Sequence, residues 1–309
     1  MVGKVREGRR GVTGHVAVVV LTWNQCEYTL DCLRSLAAQT LPHTVYVVDN
    51  ASTDGTPKRV RDAFPDASLI ANATNVGFAT GNNAGLRRAF DDGADAALVL
   101  NNDTTLAPDA LALLVEAADT DPHAGILCPA ILYAQPPHRV WFAGATADPR
   151  TGWSHHRHHN ATYESLGTDV RPMDRATGCA MLVTRACYAG AGDFDDAFFM
   201  YFEDVEYSLR ARHAGFGLAL VPRAVVHHHV SASSEGVKPA NATYYGVRNG
   251  LVTFDRHAPR PLPAALFRHF CTVGAMVYYL LKPPRAPRRI LDALMGYRDA
   301  RRGRLGPRG

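Results

Sequence analysis

Cysteine is sparse in this chain and never closely paired. Six cysteines are scattered over 309 residues, at 26, 32, 128, 179, 187 and 271, with no CxxC among them. That spacing gives no disulfide framework, and a reducing cytoplasm is the simplest setting. A cleavable leader is also missing. Basic residues precede VAVVVL at 16–21, but the run is short and TWNQ follows where a cleavage site would need small residues. No G-x-G-x-x-G follows that run, which excludes the dinucleotide fingerprint of nicotinamide oxidoreductases. There is no internal repeat and no long low-complexity segment. The only stretch near membrane-spanning length is LPAALFRHFCTVGAMVYYLL at 262–281, and Arg268 and His269 interrupt it. An arginine at mid-bilayer costs roughly 2.5–3.5 kcal/mol on insertion scales, so the stretch reads as a helix lying in an interface rather than crossing it.

What is present is an ordinary globular composition, 47% apolar and 20% charged. The length suits one large domain with an appendage. The net charge of +4 is unevenly placed. Residues 282–309 hold nine Lys/Arg against two Asp/Glu, and residues 1–14 hold four against one, so the body between them is acidic. A basic end of this kind suits an anionic membrane surface. The alternatives are a solvated tail, or a helix packed on the catalytic body or on a second copy in a homodimer. Nucleic acid is not an expected partner.

The first half alternates strand and helix signals. Strands are expected at 15–24, 44–50, 68–73 and 95–103, and helices at 26–39, 56–64, 77–93 and 108–119. This alternation predicts an α/β fold with a mostly parallel sheet flanked by helices. In the second half, strands are expected at 126–133, 139–145 and 176–186. A loop is expected over 146–172, including the solvated run HHRHH. An amphipathic helix should follow FFMYF, ending at Gly215, and 217–234 reads as strand, turn, strand and polar loop. The division is a basic tail at 1–14, a catalytic domain at 15–255 and a basic, partly apolar helical appendage at 256–309.

Three polar signatures stand out: VVDNASTDGT at 47–56 and LVLNNDTTL at 98–106, each after a short apolar run, and FFMYFEDVEYSLR at 198–210, which opens an amphipathic segment. Open α/β sheets bind ligands at the carboxyl ends of their strands. Thr22, Asn24, Asp49 and Asn50 end the first two strands and could form a polar shelf for a base and ribose. Local capping would equally explain them. Asn101, Asn102 and Asp103 end another strand. One carboxylate there suits Mg²⁺ or Mn²⁺, because a sugar diphosphate supplies the remaining oxygen ligands. Glu203, Asp204 and Glu206 open a helix, where acids also complement the dipole at roughly 0.3–1 kcal/mol each. The aromatic residues before them suggest a shielded pocket in which a base can be tuned by partial desolvation. His227, His228 and His229 end a strand and point to alternating faces, so one of them should face the site.

These motifs in order, VVVLTWN, VVDNASTDGT, NVGFATGNNAG, LVLNND, GDFDDAFFMYFEDVEYSLR, VVHHHVSAS and YYGVRN, resemble the family 2 inverting glycosyltransferases of the GT-A fold, especially their rhamnosyltransferase-like branch. The resemblance covers about 16–255. It implies that Thr22, Asn24, Asp49 and Asn50 surround the nucleotide, with Gly77, Gly81 and Asn82 near ribose and sugar and Asn101 and Asn102 beside the donor. It makes Asp103 the metal carboxylate, His228 a second metal ligand and Asp204 the base, with Tyr201, Phe202 and Glu203 as acceptor or pocket wall. The implied donor is a dTDP-, UDP- or GDP-sugar, and the acceptor a glycan, a lipid-linked glycan or a secondary metabolite. The implied setting is cytoplasmic, peripheral on the inner membrane face. A non-catalytic sugar-nucleotide binder and a nucleotidyltransferase are the alternatives. TWNQCEY after the first strand lacks the glycine-rich basic loop that the latter uses.

Overall fold

The computed structural model describes residues 14–230, 241–258 and 287–308, with positions 266, 269, 270, 273, 274 and 277. The basic N-terminal tail, the serines of VVHHHVSAS and most of the apolar stretch at 262–281 lie outside the described residues.

The sheet grows from β1 (Val16–Thr22), whose Val16 to Val20 are all buried. A central parallel strand is covered on both faces, so it reads as a continuous apolar run. It pairs in parallel with β2 (Thr44–Asp49) and β4 (Ala96–Asn101), and β2 pairs in parallel with β3 (Ser68–Ala71). Helices α1 (Cys26–Ala37), α2 (Thr56–Ala63) and α3 (Gly77–Asp91) make the crossovers. Helix α3 lies unusually close to the sheet. A Cβ at Gly81 would come within 2.5 Å of Leu21 Cδ1, and one at Gly85 within 2.3 Å of Val19 Cγ1.

Beyond β4 comes one reversal. Strand β11 (Ala180–Thr184) runs antiparallel to β4 and to β6 (Ala124–Tyr133), while β12 (Gly217–His228) runs parallel to β6. Short β5 (Thr104–Leu106), which is followed by α4 (Ala110–Thr120), pairs antiparallel with the end of β12, and β10 (Arg171–Pro172) closes that edge. The carboxyl ends of β1, β2, β4, β6 and β12 therefore share one side of the sheet with the start of β11. Next come α5 (Arg185–Ala191) and α6 (Glu203–His213). Two further helices, α7 (Ala242–His257) and α8 (Pro287–Arg301), pack on each other. Helix α7 runs through the boundary expected at 255.

Two expectations are corrected. The segment 217–228 is one strand, not two joined by a turn. Pro222, which has no N–H to offer a ladder, sits in a register shift between Val221 and Val225. The expected loop over 146–172 is partly ordered. The strand expected at 139–145 breaks at Gly144 (φ +83°) into β7 (Val140–Phe142) and β8 (Ala145–Asp148), and β8 forms a hairpin with β9 (Trp153–His156). The sequence hid this hairpin because β9, Trp-Ser-His-His, carries no apolar alternation.

One buried amide ties the two halves together. Asn83 of α3, wholly buried, donates to Phe194 O (2.8 Å) and Asp196 Oδ1 (2.7 Å), and its Oδ1 accepts Phe194 N (2.9 Å). Asn83→Ala would leave the Phe194 N–H and C=O without these partners, at about 1–3 kcal/mol per unsatisfied buried group. Urea unfolding should show a drop in midpoint with unchanged slope. An unchanged midpoint would mean that the amide is not holding this turn.

Candidate active site

Strand register puts the first two signatures on either side of the end of β1. Thr22 lies opposite Asp49, and Leu21 lies opposite Asn101. Much of this shelf is tied internally. Thr22 Oγ1 meets Thr29 Oγ1 at 2.8 Å, and Asn102 Nδ2 donates to both hydroxyls, at 3.3 and 3.0 Å. Asn24 takes a left-handed turn (φ 59°), its Oδ1 accepting Thr53 N at 2.9 Å. Asn50 donates to Gly77 O at 3.0 Å and accepts from Asn72 Nδ2 at 2.8 Å, which fixes the loop leading into α3. A Cβ at Gly77 (φ +86°) would come within 2.4 Å of Phe199 O. Asn82 is fully buried, donating to Phe78 O at 3.0 Å. Asp49 is different. Its Oδ2 accepts Ser52 N at 3.0 Å, while its buried Oδ1 has no hydrogen-bond partner.

The second signature and the histidine run converge through strand pairing. Asp103 sits in the turn between β4 and β5. Because β5 pairs with β12, with Thr104 opposite His228, the middle histidine faces it. His228 Nε2 lies 3.3 Å from Asp103 Oδ1, without hydrogen-bond alignment. His229 N donates to Asp103 O at 2.9 Å, while its ring packs on Tyr28 at 5.2 Å. His227 is half-buried on the other face. A buried carboxylate oxygen without a hydrogen bond, beside an imidazole nitrogen, is a donor set that suits a divalent cation taking oxygen ligands from a diphosphate. Among the described residues no three His, Cys, Asp or Glu gather into a complete cage, so Asp103 and His228 fit as a partial one.

Asp204 lies in the first turn of α6. Its Oδ2 accepts Gly178 N at 3.0 Å, just before β11, and its Oδ1 accepts Val205 N at 2.8 Å. The adjoining Cys179 O accepts Asn101 N at 2.9 Å. Residues 178–179 thus join the Asp204 carboxylate to the end of β4, two residues before Asp103. The buried Cys179 thiol reports both acids. Burial raises its pKa first, then Asp103, with Asp204 adding. Glu203 is buried with an unpartnered Oε2, and desolvation, then Asp204, push its carboxyl well above the usual carboxylate range. Tyr201 is half-buried, and Phe202 packs edge-on against Phe254 at 6.0 Å. Both residues hold left-handed backbone, with φ of 64° and 71°. Such conformations cost of order 1–3 kcal/mol each and persist only where their surroundings impose them.

Several residues of the site carried no sequence signal. His156, expected in solvent, is folded back on the β8–β9 hairpin. Its Nδ1 donates to Trp141 O (3.2 Å), leaving Nε2 as the acceptor, and burial, then Arg175, lower its pKa to about 4. Trp141 stands between His156 and His228, edge-on to each at 5.3 and 4.6 Å. Arg175, buried, donates to Ser154 Oγ at 2.7 Å and to Ala176 O at 3.1 Å, tying the hairpin to the site floor. Desolvation lowers its pKa and the charge of Asp204 opposes that. These residues become neighbours only through the hairpin. Asn83 and Asn249 did fall inside resembling motifs, but without a role.

The family profile for Glycosyl transferase family 2 matches residues 17–186. The N-acetylglucosaminyl-diphospho-decaprenol L-rhamnosyltransferase of Mycobacterium tuberculosis H37Rv is 31% identical over 256 residues, covering 74% of this chain and 80% of that protein. The low-salt glycan biosynthesis hexosyltransferase Agl10 of Haloferax volcanii is 23% identical, over 66% and 64%. In fold, the mannosyltransferase PcManGT of Pyrobaculum calidifontis, solved with GDP-Man and Mn²⁺, superposes with a TM-score of 0.57 at 19% identity, covering 95% of this chain and 84% of that one. GalNAc-T7, solved with UDP, GalNAc and Mn²⁺, gives 0.62 at 14% identity, over 88% of this chain and 58% of that longer one. Motif order, sheet topology and these similarities together show that this chain belongs to the family 2 glycosyltransferases and has the GT-A fold.

Proposed function

We propose that the protein transfers L-rhamnose from a nucleoside-diphosphate donor to a hydroxyl of a lipid-linked glycan, by one in-line displacement that inverts the anomeric centre. The observation that carries this is the joining of Asp204 to the Asp103 strand through Gly178 and Cys179. The rhamnosyltransferase relative, whose name specifies a diphospho-decaprenol acceptor, supports both substrate classes. Family membership sets aside the nucleotidyltransferase and non-catalytic readings.

Asp49, through its unpartnered Oδ1, binds the nucleoside. Asp103 and His228 would hold a divalent cation, Mg²⁺ or Mn²⁺, which would supply positive charge to offset that developing on a diphosphate leaving group. Asp204 is oriented by two backbone N–H groups and keeps free lone pairs to receive the acceptor hydroxyl proton as its oxygen attacks. Trp141 and the hairpin wall exclude water. Positioning the two substrates supplies much of the rate.

Asp204→Asn should keep donor affinity and lose turnover by about 10²–10⁴-fold. NMR of the wild-type product should show inverted anomeric configuration. Near-normal turnover would remove Asp204 from the role, and retention would sink the single displacement.

Chelation should abolish turnover, and Mn²⁺ or Mg²⁺ should restore it. Asp103→Ala should weaken donor binding in the presence of metal more than in its absence. Full turnover in excess EDTA would rule out the metal reading.

The C-terminal helices are the proposed membrane contact, on the cytoplasmic face. No helix among the described residues is long and apolar enough to cross a membrane. Leu266, Phe270, Val273 and Val277 recur at helical spacing and are all exposed, as are Leu291 and Leu294 of α8. Arginines flank them, each worth about 1 kcal/mol near an anionic surface. Wild-type protein should float with anionic liposomes, and the double variant Phe270→Glu, Leu294→Glu should not. Equal flotation of both, or of neither, would rule this face out.

A further inference from the structure

We infer that Asn249 is a positioning residue for the catalytic carboxylate, and that the last residues of the chain belong to the same device. The inference rests on Asp204 being the base.

The two left-handed residues Tyr201 and Phe202 set the direction in which α6 leaves, and Asp204 is the second residue of that helix. Their own sequence does not favour that backbone, since aromatic side chains rarely adopt it. One side chain from α7 imposes it. Asn249 is completely buried, and its Nδ2 donates both hydrogens into the strained turn, to Met200 O at 2.9 Å and Tyr201 O at 2.8 Å. The amide has only one workable orientation. Carbonyls can only accept, so the NH₂ must face them, and Oδ1 is then left to accept Arg248 Nε at 2.8 Å. The next residue, Gly250, lets the backbone meet the turn directly. A Cβ there would come within 2.9 Å of the Phe202 ring.

Arg248 extends the device to the chain end. It is 1% exposed, its guanidinium lying over Tyr244 and Tyr245 at 5.3 and 5.0 Å. Its Nη1 donates to Gly306 O at 2.8 Å, and Gly306 N donates to Ala197 O at 2.9 Å, upstream in the same loop. Gly306 sits at φ +86°, where a side chain would be strained. Arg308 anchors the tail, its backbone N on Tyr245 OH at 2.7 Å and its Nη2 on Asp292 at 2.6 Å. The loop carrying the base is thus gripped at Ala197 by the tail and at Met200 and Tyr201 by Asn249. Arg248 bridges the two grips. A sequence position that looks like a dispensable basic end is wired to the residues before the base.

The test is steady-state kinetics with independent donor binding by calorimetry, on folded full-length protein. Asn249→Ala should lower kcat by about 10–100-fold, the scale on which a misplacement of roughly 1 Å acts, with donor Kd changed less than about threefold. Removal of residues 304–309 should lower kcat in the same direction. The combined variant should fall short of the product of the two losses, because they act through one contact chain. Arg185→Ala serves as a stability control. It loses bonds to Ala94 O and Phe90 O near the opposite ends of the strands, and it should lower the melting temperature with kcat unchanged. If Asn249→Ala does not fold, the truncated chain alone decides. Unchanged kcat in a folded variant, or equal losses of kcat and donor affinity, overturns the inference. If Asp204→Asn retains turnover, the base assignment has failed instead, and the two failures are told apart.

Discussion

The site depends on two consecutive peptide groups, those of Gly178 and Cys179. Gly178 N holds the Asp204 carboxylate, and Cys179 O receives Asn101 N. These groups lie where β11 begins, and β11 is the one long strand that runs against its neighbours β4 and β6. Were it parallel, its start would lie at the far edge of the sheet, and the two acids would have no common support. A Cβ at position 178 would also meet the Phe78 ring at 2.8 Å, so close approach at this point requires glycine.

A second constraint is the pairing of β5 with β12. Three residues of β5 suffice to place Asp103 beside His228 and to turn His227 and His229 elsewhere. A carboxylate and an imidazole form an incomplete cage by themselves. That incompleteness suits a cation that arrives with, and leaves with, a diphosphate. The buried oxygen atoms of Asp49 and Asp103 that lack partners follow the same logic, because a site held ready for a polar ligand carries unsatisfied groups until it binds.

Around these acids the protein uses burial to control charge. Desolvation raises the pKa of Glu203 and keeps His156 uncharged, while Arg175 is held buried within the field of Asp204. The strained Tyr201–Phe202 turn is opposed by a fully buried amide rather than relieved by glycine. Backbone strain of this kind is tolerated where the rest of the fold over-determines it, and here the determining groups come from α7 and the chain terminus.

The alternation of apolar runs and amphipathic segments was enough to fix the parallel half of the sheet and its helices, because each element there buries a face that its own periodicity records. The ends of those runs marked Asp49 and Asp103, since polar residues directly after a buried strand must face the sheet edge, while the aromatic run before α6 marked Asp204. Which histidine meets Asp103 was not legible. It depends on the register of β5 against β12, two segments over a hundred residues apart. The β8–β9 hairpin was invisible for a different reason. Its strands are only four residues long, β9 carries no apolar alternation, and Arg175 and Trp141 hold that strand in place. The grip of Asn249 on Met200 and Tyr201 is likewise a tertiary fact. Nothing in YYGVRN distinguishes an amide that caps its own helix from one that reaches into another loop, because only packing decides which carbonyls lie within reach.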